Sequence, residues 1–158
     1  MQEKRKKELF LRIGWKLLEK VQRKPDLSLL SKRAHKSLSQ VKMSMDNKKV
    51  ALIAAKACDS KKASDIRLIN INKVSYISDW IIIAEGLSDV QVRSISKSVE
   101  NDIKDIFNIE PFRKEGINEA KWALLDYGDL IVNIFQPEYR KYYDLESFWS
   151  NGDNFKYP

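Results

Sequence analysis

The sequence predicts an α/β (α+β) fold, a mixed β-sheet covered by helices, and three observations carry that prediction. Within Lys121–Phe135, the turn-forming tetrapeptide Asp126-Tyr127-Gly128-Asp129 separates two apolar runs rich in β-branched and aromatic residues. A second apolar block, Trp80-Ile81-Ile82-Ile83-Ala84, is bounded by Gly86 and reads as a central strand buried on both faces. Between the two, Val92, Ile95, Val99, Ile103 and Ile106 recur every three or four residues, the spacing of a helix with one buried stripe.

A chain of 158 residues is long enough for one domain with a proper core and too short for two of ordinary size. Charge divides it. Residues 1–45 hold 13 Lys+Arg against 4 Asp+Glu, whereas residues 46–158 hold 16 against 18, so the overall +7 belongs to the front of the chain. The expected organisation is a basic helical extension or linker over 1–45, a domain over 46–150 and a tail over 151–158. An electrostatic case for nucleic-acid contact applies to the extension alone. One cysteine, Cys58, excludes an internal disulfide and suits a reducing cytosol; its helical, apolar surroundings predict a buried small residue. No apolar run approaches the roughly 20 residues needed to span a bilayer, and Arg12 and Lys16 interrupt the apolar residues that a secretory signal would need.

In order, residues 3–24 place Leu9, Ile13, Leu17 and Val21 on one helical stripe, with Lys6, Lys7, Arg12, Lys16, Lys20 and Arg23 around it. Such a helix can lie on RNA, on a membrane or against its own domain. Pro25 ends it. Leu27–Met45 reads as a second short helix or a linker, and translation starting at Met43 or Met45 is a further reading. Asp46 is placed to cap a helix running to Lys61, with Val50, Ile53, Ala54 and Ala57 on its apolar face. Ile66–Ile71 alternates as a strand, Asn72-Lys73 turns the chain, and the Trp80 block follows. Ser88 caps the helix Asp89–Phe107, with Asp89 favourably near its positive end. Pro111-Phe112 begins a short extended piece and Glu115-Gly116 turns into the hairpin. Pro137 and Glu138 then start a last helix carrying Tyr139, Tyr142, Tyr143, Leu145, Phe148 and Trp149.

The chemistry of catalysis is sparsely represented. The single histidine, His35, falls outside the domain, which removes Ser-His-Asp and Cys-His schemes and any zinc site with the usual nitrogen and sulfur ligands. Asp126 and Asp129 flank one turn and could hold a magnesium ion, but aspartates beside a glycine-containing turn commonly hydrogen-bond local backbone. Gly86-Leu87-Ser88-Asp89 joins a strand to a helix, where phosphate can dock, yet it lacks the glycine density of a dinucleotide fingerprint and the Lys-Ser/Thr of a P-loop. No cofactor or metal is expected. Trp122 stands apart, because Trp122, Leu124 and Asp126 share one face of their strand, Ala123, Leu125 and Tyr127 the other, and both faces are largely apolar. One face suits the core and the other suits core or a partner.

These residues also match a known pattern. Ser78-Asp79-Trp80-Ile81-Ile82-Ile83-Ala84-Glu85-Gly86-Leu87-Ser88, Gln91-Val92, Ile95, Glu115-Gly116, Trp122 to Val132, Pro137-Glu138, Arg140, Tyr143, Leu145-Glu146 and Trp149 together resemble the ribosomal silencing factor family, RsfS or Iojap-like. The likeness runs from about Val50 to Trp149, and several ordered blocks make it far more specific than any one motif. The resemblance implies a nucleotidyltransferase-like topology and a non-enzymatic, cytoplasmic translation repressor. It implies binding to the large ribosomal subunit through its ribosomal protein uL-fourteen, steric blockade of small-subunit joining, and homodimers among free members. It further implies that Trp122, Leu124, Asp126, Tyr127, Gly128 and Asp129 form much of the docking surface. The family usually has histidine where this chain has Asn133, which favours binding over catalysis. Residues 1–45 have no counterpart in the typical member; Lys4, Arg5, Lys6, Lys7, Arg12 and Lys16 would suit ribosomal RNA phosphates. The alternatives from other classes are a metal-dependent nucleotidyltransferase-like enzyme, for which no Asp-x-Asp is present, and a basic RNA-binding adaptor working through the extension.

Overall fold

Asp46 opens the described domain by accepting the Lys48 N–H at 3.2 Å, capping helix α1 (Asn47–Ser60). The computed structural model describes residues 46–158; the expected helix over 3–24, its stop at Pro25, segment 27–45, His35, the starts at Met43 and Met45, and the six basic residues proposed for RNA lie outside the described residues. After α1 come β1 (Ser64–Asn70), β2 (Trp80–Glu85), α2 (Asp89–Phe107), β3 (Arg113–Glu115), β4 (Trp122–Asp126), β5 (Leu130–Phe135), α3 (Pro137–Tyr143), α4 (Leu145–Phe148) and β6 (Asp153–Lys156).

The six strands form one mixed sheet in the order β3-β4-β5-β2-β1-β6. Every neighbouring pair is antiparallel except β2 and β5, which run parallel from Trp80 beside Leu130 to Glu85 beside Phe135. Parallel neighbours need a crossover, and α2, β3 and β4 supply it. Period-two alternation then divides the strands between two cores. The first face presents Leu68, Ile82, Ala84, Leu125, Val132 and Ile134 to α1 and α2. Small residues on α1, among them Ala51, Ala54, Ala55 and Cys58, are fully buried, so the helix lies close over the sheet. The second face buries Ile69, Ile71, Ile81, Ile83 and Phe135 beneath Tyr139, Tyr143, Leu145 and Trp149 from the α3–α4 segment. Strand β2 is therefore buried on both faces, as its unbroken apolar run predicts.

Three expectations are corrected. Residues 151–158 are not a tail: Asn154 and Phe155 pair with Ile69 and Leu68 of β1, and the turn into β6 brings Gly152 so close to Asn70 and Ile69 that a Cβ there would lie 2.8 Å from each. The last helix is two. Asp144 adopts a left-handed conformation (φ 45°), ends α3 through its own N–H to the Arg140 carbonyl, and caps α4 by accepting the Ser147 N–H. Ile106 is exposed, because α2 closes its buried stripe with Phe107 and the core contact after it is made by Ile109.

Candidate functional site

Hairpin β4–β5 is built from the turn outward. Gly128 takes φ +90°, and the Asp126 carboxylate accepts the Gly128 N–H at 2.8 Å while Tyr127 N–H bonds the Leu130 carbonyl at 2.9 Å. Asp126 is thus a turn-shaping group. The carbonyl of exposed Asp129 accepts two N–H groups, from Asp79 and Trp80, both at 3.0 Å, which ties the turn to the loop between β1 and β2. The side chain of Asp79 in turn accepts Asn47 Nδ2 at 2.7 Å.

Along β4, Trp122, Leu124 and Asp126 lie on the second face and are half-buried. The indole of Trp122 stacks on Phe135 of β5 with ring centroids 4.8 Å apart and leans on Tyr143 of α3, also at 4.8 Å. Its Nε1 donates to Asn133 Oδ1 at 3.1 Å, and the Asn133 amide, itself buried, donates to the Ile82 carbonyl at 3.4 Å. Trp122 is therefore held on one side by rings and at its nitrogen by a buried amide, while part of it remains open to solvent. Leu124 sits opposite Asn133, and Asp126 opposite Ile131, extending this face toward the turn.

Tyr127 departs from the expected surface. It is directed into the first core and is 7% exposed, and its hydroxyl has no hydrogen-bond partner among the described residues. Burial, followed by the Glu100 carboxylate, pushes its phenol well above the ordinary range. The structure thus brings Trp122, Leu124 and Asp126 together on one face, sets Gly128 and Asp129 at its end, and sends Tyr127 behind it.

Two residues that the family pattern marks gain a role only in three dimensions. Asn133 is the place where the sequence departs from that pattern, and its role as indole acceptor depends on cross-strand register. Arg140 is almost wholly buried on α3: its Nη1 donates to the Asp65 carbonyl at 2.7 Å and pairs with Glu85 at 3.3 Å, and its Nε donates to Glu146 at 2.7 Å. Its Nη2 makes ion-pair contacts with Asp65 at 3.0 Å and Glu146 at 2.5 Å, though without aligned hydrogen bonds. One guanidinium thereby fastens α3 to β1, β2 and α4, one helical turn from the Tyr143 ring that backs Trp122.

The other candidate chemistry resolves into structure. Ser88 Oγ accepts the Gln91 N–H at 3.2 Å as a helix cap, and the Gln91 side chain bonds the Leu87 N–H and the carbonyls of Lys61 and Lys62. Cys58 is completely buried, and desolvation pushes its thiol up to about 12. Among the described residues, no three His, Cys, Asp or Glu side chains converge on a metal site, and no helix is long and apolar enough to cross a membrane.

The candidate site is therefore a half-covered sheet face that carries a tryptophan held by Phe135, Tyr143 and Asn133. Comparison with known proteins adds the family. Residues 44–157 match the family model for "ribosomal silencing factor during starvation". The chain is 38% identical over 107 residues to the ribosomal silencing factor RsfS of Bacillus subtilis, covering 68% of this chain and 90% of that protein. It is 35% identical over 107 residues to RsfS of Halalkalibacterium halodurans, covering 68% and 91%. A crystal structure of a Chromobacterium violaceum protein superposes with a TM-score of 0.65 at 29% identity, over 67% of this chain and 88% of that one. This chain belongs to the ribosomal silencing factor family. Its matched relatives carry the name ribosomal silencing factor.

Proposed function

We propose that this protein is a ribosomal silencing factor: it binds the large ribosomal subunit through ribosomal protein uL-fourteen and sterically blocks association with the small subunit, repressing translation in the cytoplasm. The observation that carries the reading is the placement of Trp122 on the half-covered second face. Trp is enriched among residues that dominate binding energy, and a ring already fixed by Phe135, Tyr143 and Asn133 loses little freedom on docking. Leu124 and Asp126 continue the surface, and Gly128 and Asp129 border it. Membership of a family named for silencing ribosomes supports the partner. Steric occlusion requires no chemical step, so no catalytic residue is assigned. A homodimer of the free protein fits the same reading, because a face that awaits a partner can be sheltered by a second copy.

The test is a sucrose gradient of purified large and small subunits with increasing amounts of the protein. Loss of the joined-ribosome peak, with the protein sedimenting beside large subunits, is the expected result; an undiminished peak at saturating protein rejects the function. Trp122→Ala should weaken large-subunit binding by about 2 kcal/mol or more while leaving the fold intact. A folded variant that still blocks joining at the wild-type concentration would reject Trp122 as the anchor.

A further inference from the structure

We propose that Arg140 is a positioning residue for docking: buried and out of reach of any partner, it sets the Trp122 indole by fixing the backbone that carries Tyr143. The inference rests on the docking function proposed above and names the device that holds its anchor.

The acceptors around the guanidinium are delivered by two departures from regular backbone. In β1 the pairing with β2 slips between Ser64 and Arg67, and inside that irregularity Asp65 has φ 40°. Such bulges aim groups where a regular strand would not, and here both the carbonyl and the carboxylate of Asp65 reach Arg140. Between α3 and α4, the left-handed Asp144 turns the chain so that Glu146 comes back onto the guanidinium of the helix before it. Left-handed backbone is disfavoured by a Cβ, and departures of this kind gather where a geometry serves function. A buried cluster of charges adds little stability over well-packed apolar residues of the same size. Backbone strain and desolvation converging on one side chain are therefore accounted for by the geometry that it holds.

That geometry ends at Trp122. Arg140 is 6% exposed and is the one buried residue of α3, a helix of seven residues. A helix so short does not hold its own shape in water, so its place is set by its attachments. Three residues beyond Arg140, the Tyr143 ring leans on Trp122 at 4.8 Å and on Phe135 at 6.2 Å. Phe135 is fixed by its strand and fully buried; Tyr143 is fixed by α3. If α3 shifts, the indole loses one of its two rings and keeps only Phe135 and the Asn133 bond. A ring given new freedom must surrender it on docking, at a cost in affinity.

Isotope-labelled full-length protein and purified large subunits test this, with circular dichroism confirming that each variant is folded. The Trp122 indole N–H is identified as the resonance absent from Trp122→Phe. Arg140→Lys keeps the buried charge but not the fork, and it should shift that resonance, speed its hydrogen exchange and weaken large-subunit binding about tenfold. Glu146→Gln, a milder change, should act in the same direction. In a Trp122→Ala background Arg140→Lys should have no further effect, because the group that it positions is gone. Ile103→Val, a loss of packing in the core on the opposite face of the sheet, should leave the indole and the binding as they are. The inference is wrong if folded Arg140→Lys leaves the indole resonance unmoved or binds within about twofold of wild type. It is equally wrong if Arg140→Lys costs as much without Trp122 as with it, or if Ile103→Val weakens binding as much. Absence of large-subunit binding by the wild-type protein, with the indole shift present, would instead bring down the proposed function itself.

Discussion

Asn133 illustrates how one amide organises a surface. Its Oδ1 is the acceptor for the Trp122 indole in a buried position, so Asn133→Ala should leave Nε1 unsatisfied and cost about 1–3 kcal/mol. Urea denaturation measures that cost, and a shift in tryptophan emission should report the released ring. Stability unchanged within error would mean that water replaces the amide. Cys58 makes a different residue-scale prediction. Its thiol is raised from 9.0 to about 12 in the folded state, so between those values the unfolded chain has lost a proton that the folded chain retains. The contribution is complete below about pH 9 and should be lost at about 1.4 kcal/mol per pH unit as pH rises toward 12. Buried Tyr127, also raised, acts with the same sign. Replacing Cys58 by Ala should flatten the alkaline decline seen in unfolding curves, and an unaltered slope would assign the decline elsewhere. Burial of Cys58 was legible from its apolar helical setting; the role of Asn133 was not, because the residue that it serves lies eleven positions earlier and only strand pairing brings the two together.

Among the elements, those with strong local signals were legible: the Asp46 and Ser88 caps, the period of α2, the run of β2 and the glycine turn of the hairpin all appear where the residues place them. The break between α3 and α4 was hidden, since Tyr142, Leu145 and Trp149 keep a helical spacing across it, while a left-handed Asp144 ends one helix and caps the next. Strand β6 was hidden for the opposite reason: it is short, wholly exposed and supported by β1 rather than by its own pattern. The α3–α4 segment depends on Arg140. Arg140→Ala should leave Asp65, Glu85 and Glu146 facing one another without their shared cation and cost about 3–5 kcal/mol. Arg140→Lys should recover only part of this, because an ammonium cannot reproduce the fork. A denaturation series comparing the two variants checks both statements, and equal stability of Lys and wild type would show that charge alone suffices.

For the whole molecule, the division of charge is the main lever. The described domain is close to neutral while residues 1–45 carry the excess of Lys and Arg, so removing them should flatten the dependence of large-subunit binding on salt. Titration at several salt concentrations measures this, and an identical slope would exclude direct RNA contact by Lys4, Arg5, Lys6, Lys7, Arg12 and Lys16. The order of the strands has a consequence in time. Strand β2 pairs with β1 almost as soon as both exist, but its parallel neighbour is β5, with Trp80 beside Leu130, and β1 finds its outer neighbour only in β6, with Arg67 beside Lys156. A chain still being synthesised therefore leaves one edge of the apolar strand β2 unpaired until Phe135 has been added, and the outer edge of β1 until Lys156 follows. Such distant pairings must bear loop-closure entropy before they return any contact, which slows folding and leaves the nascent strands open to wrong partners. The sheet that holds Trp122 in place is thus complete only once strands far apart in the sequence have found one another.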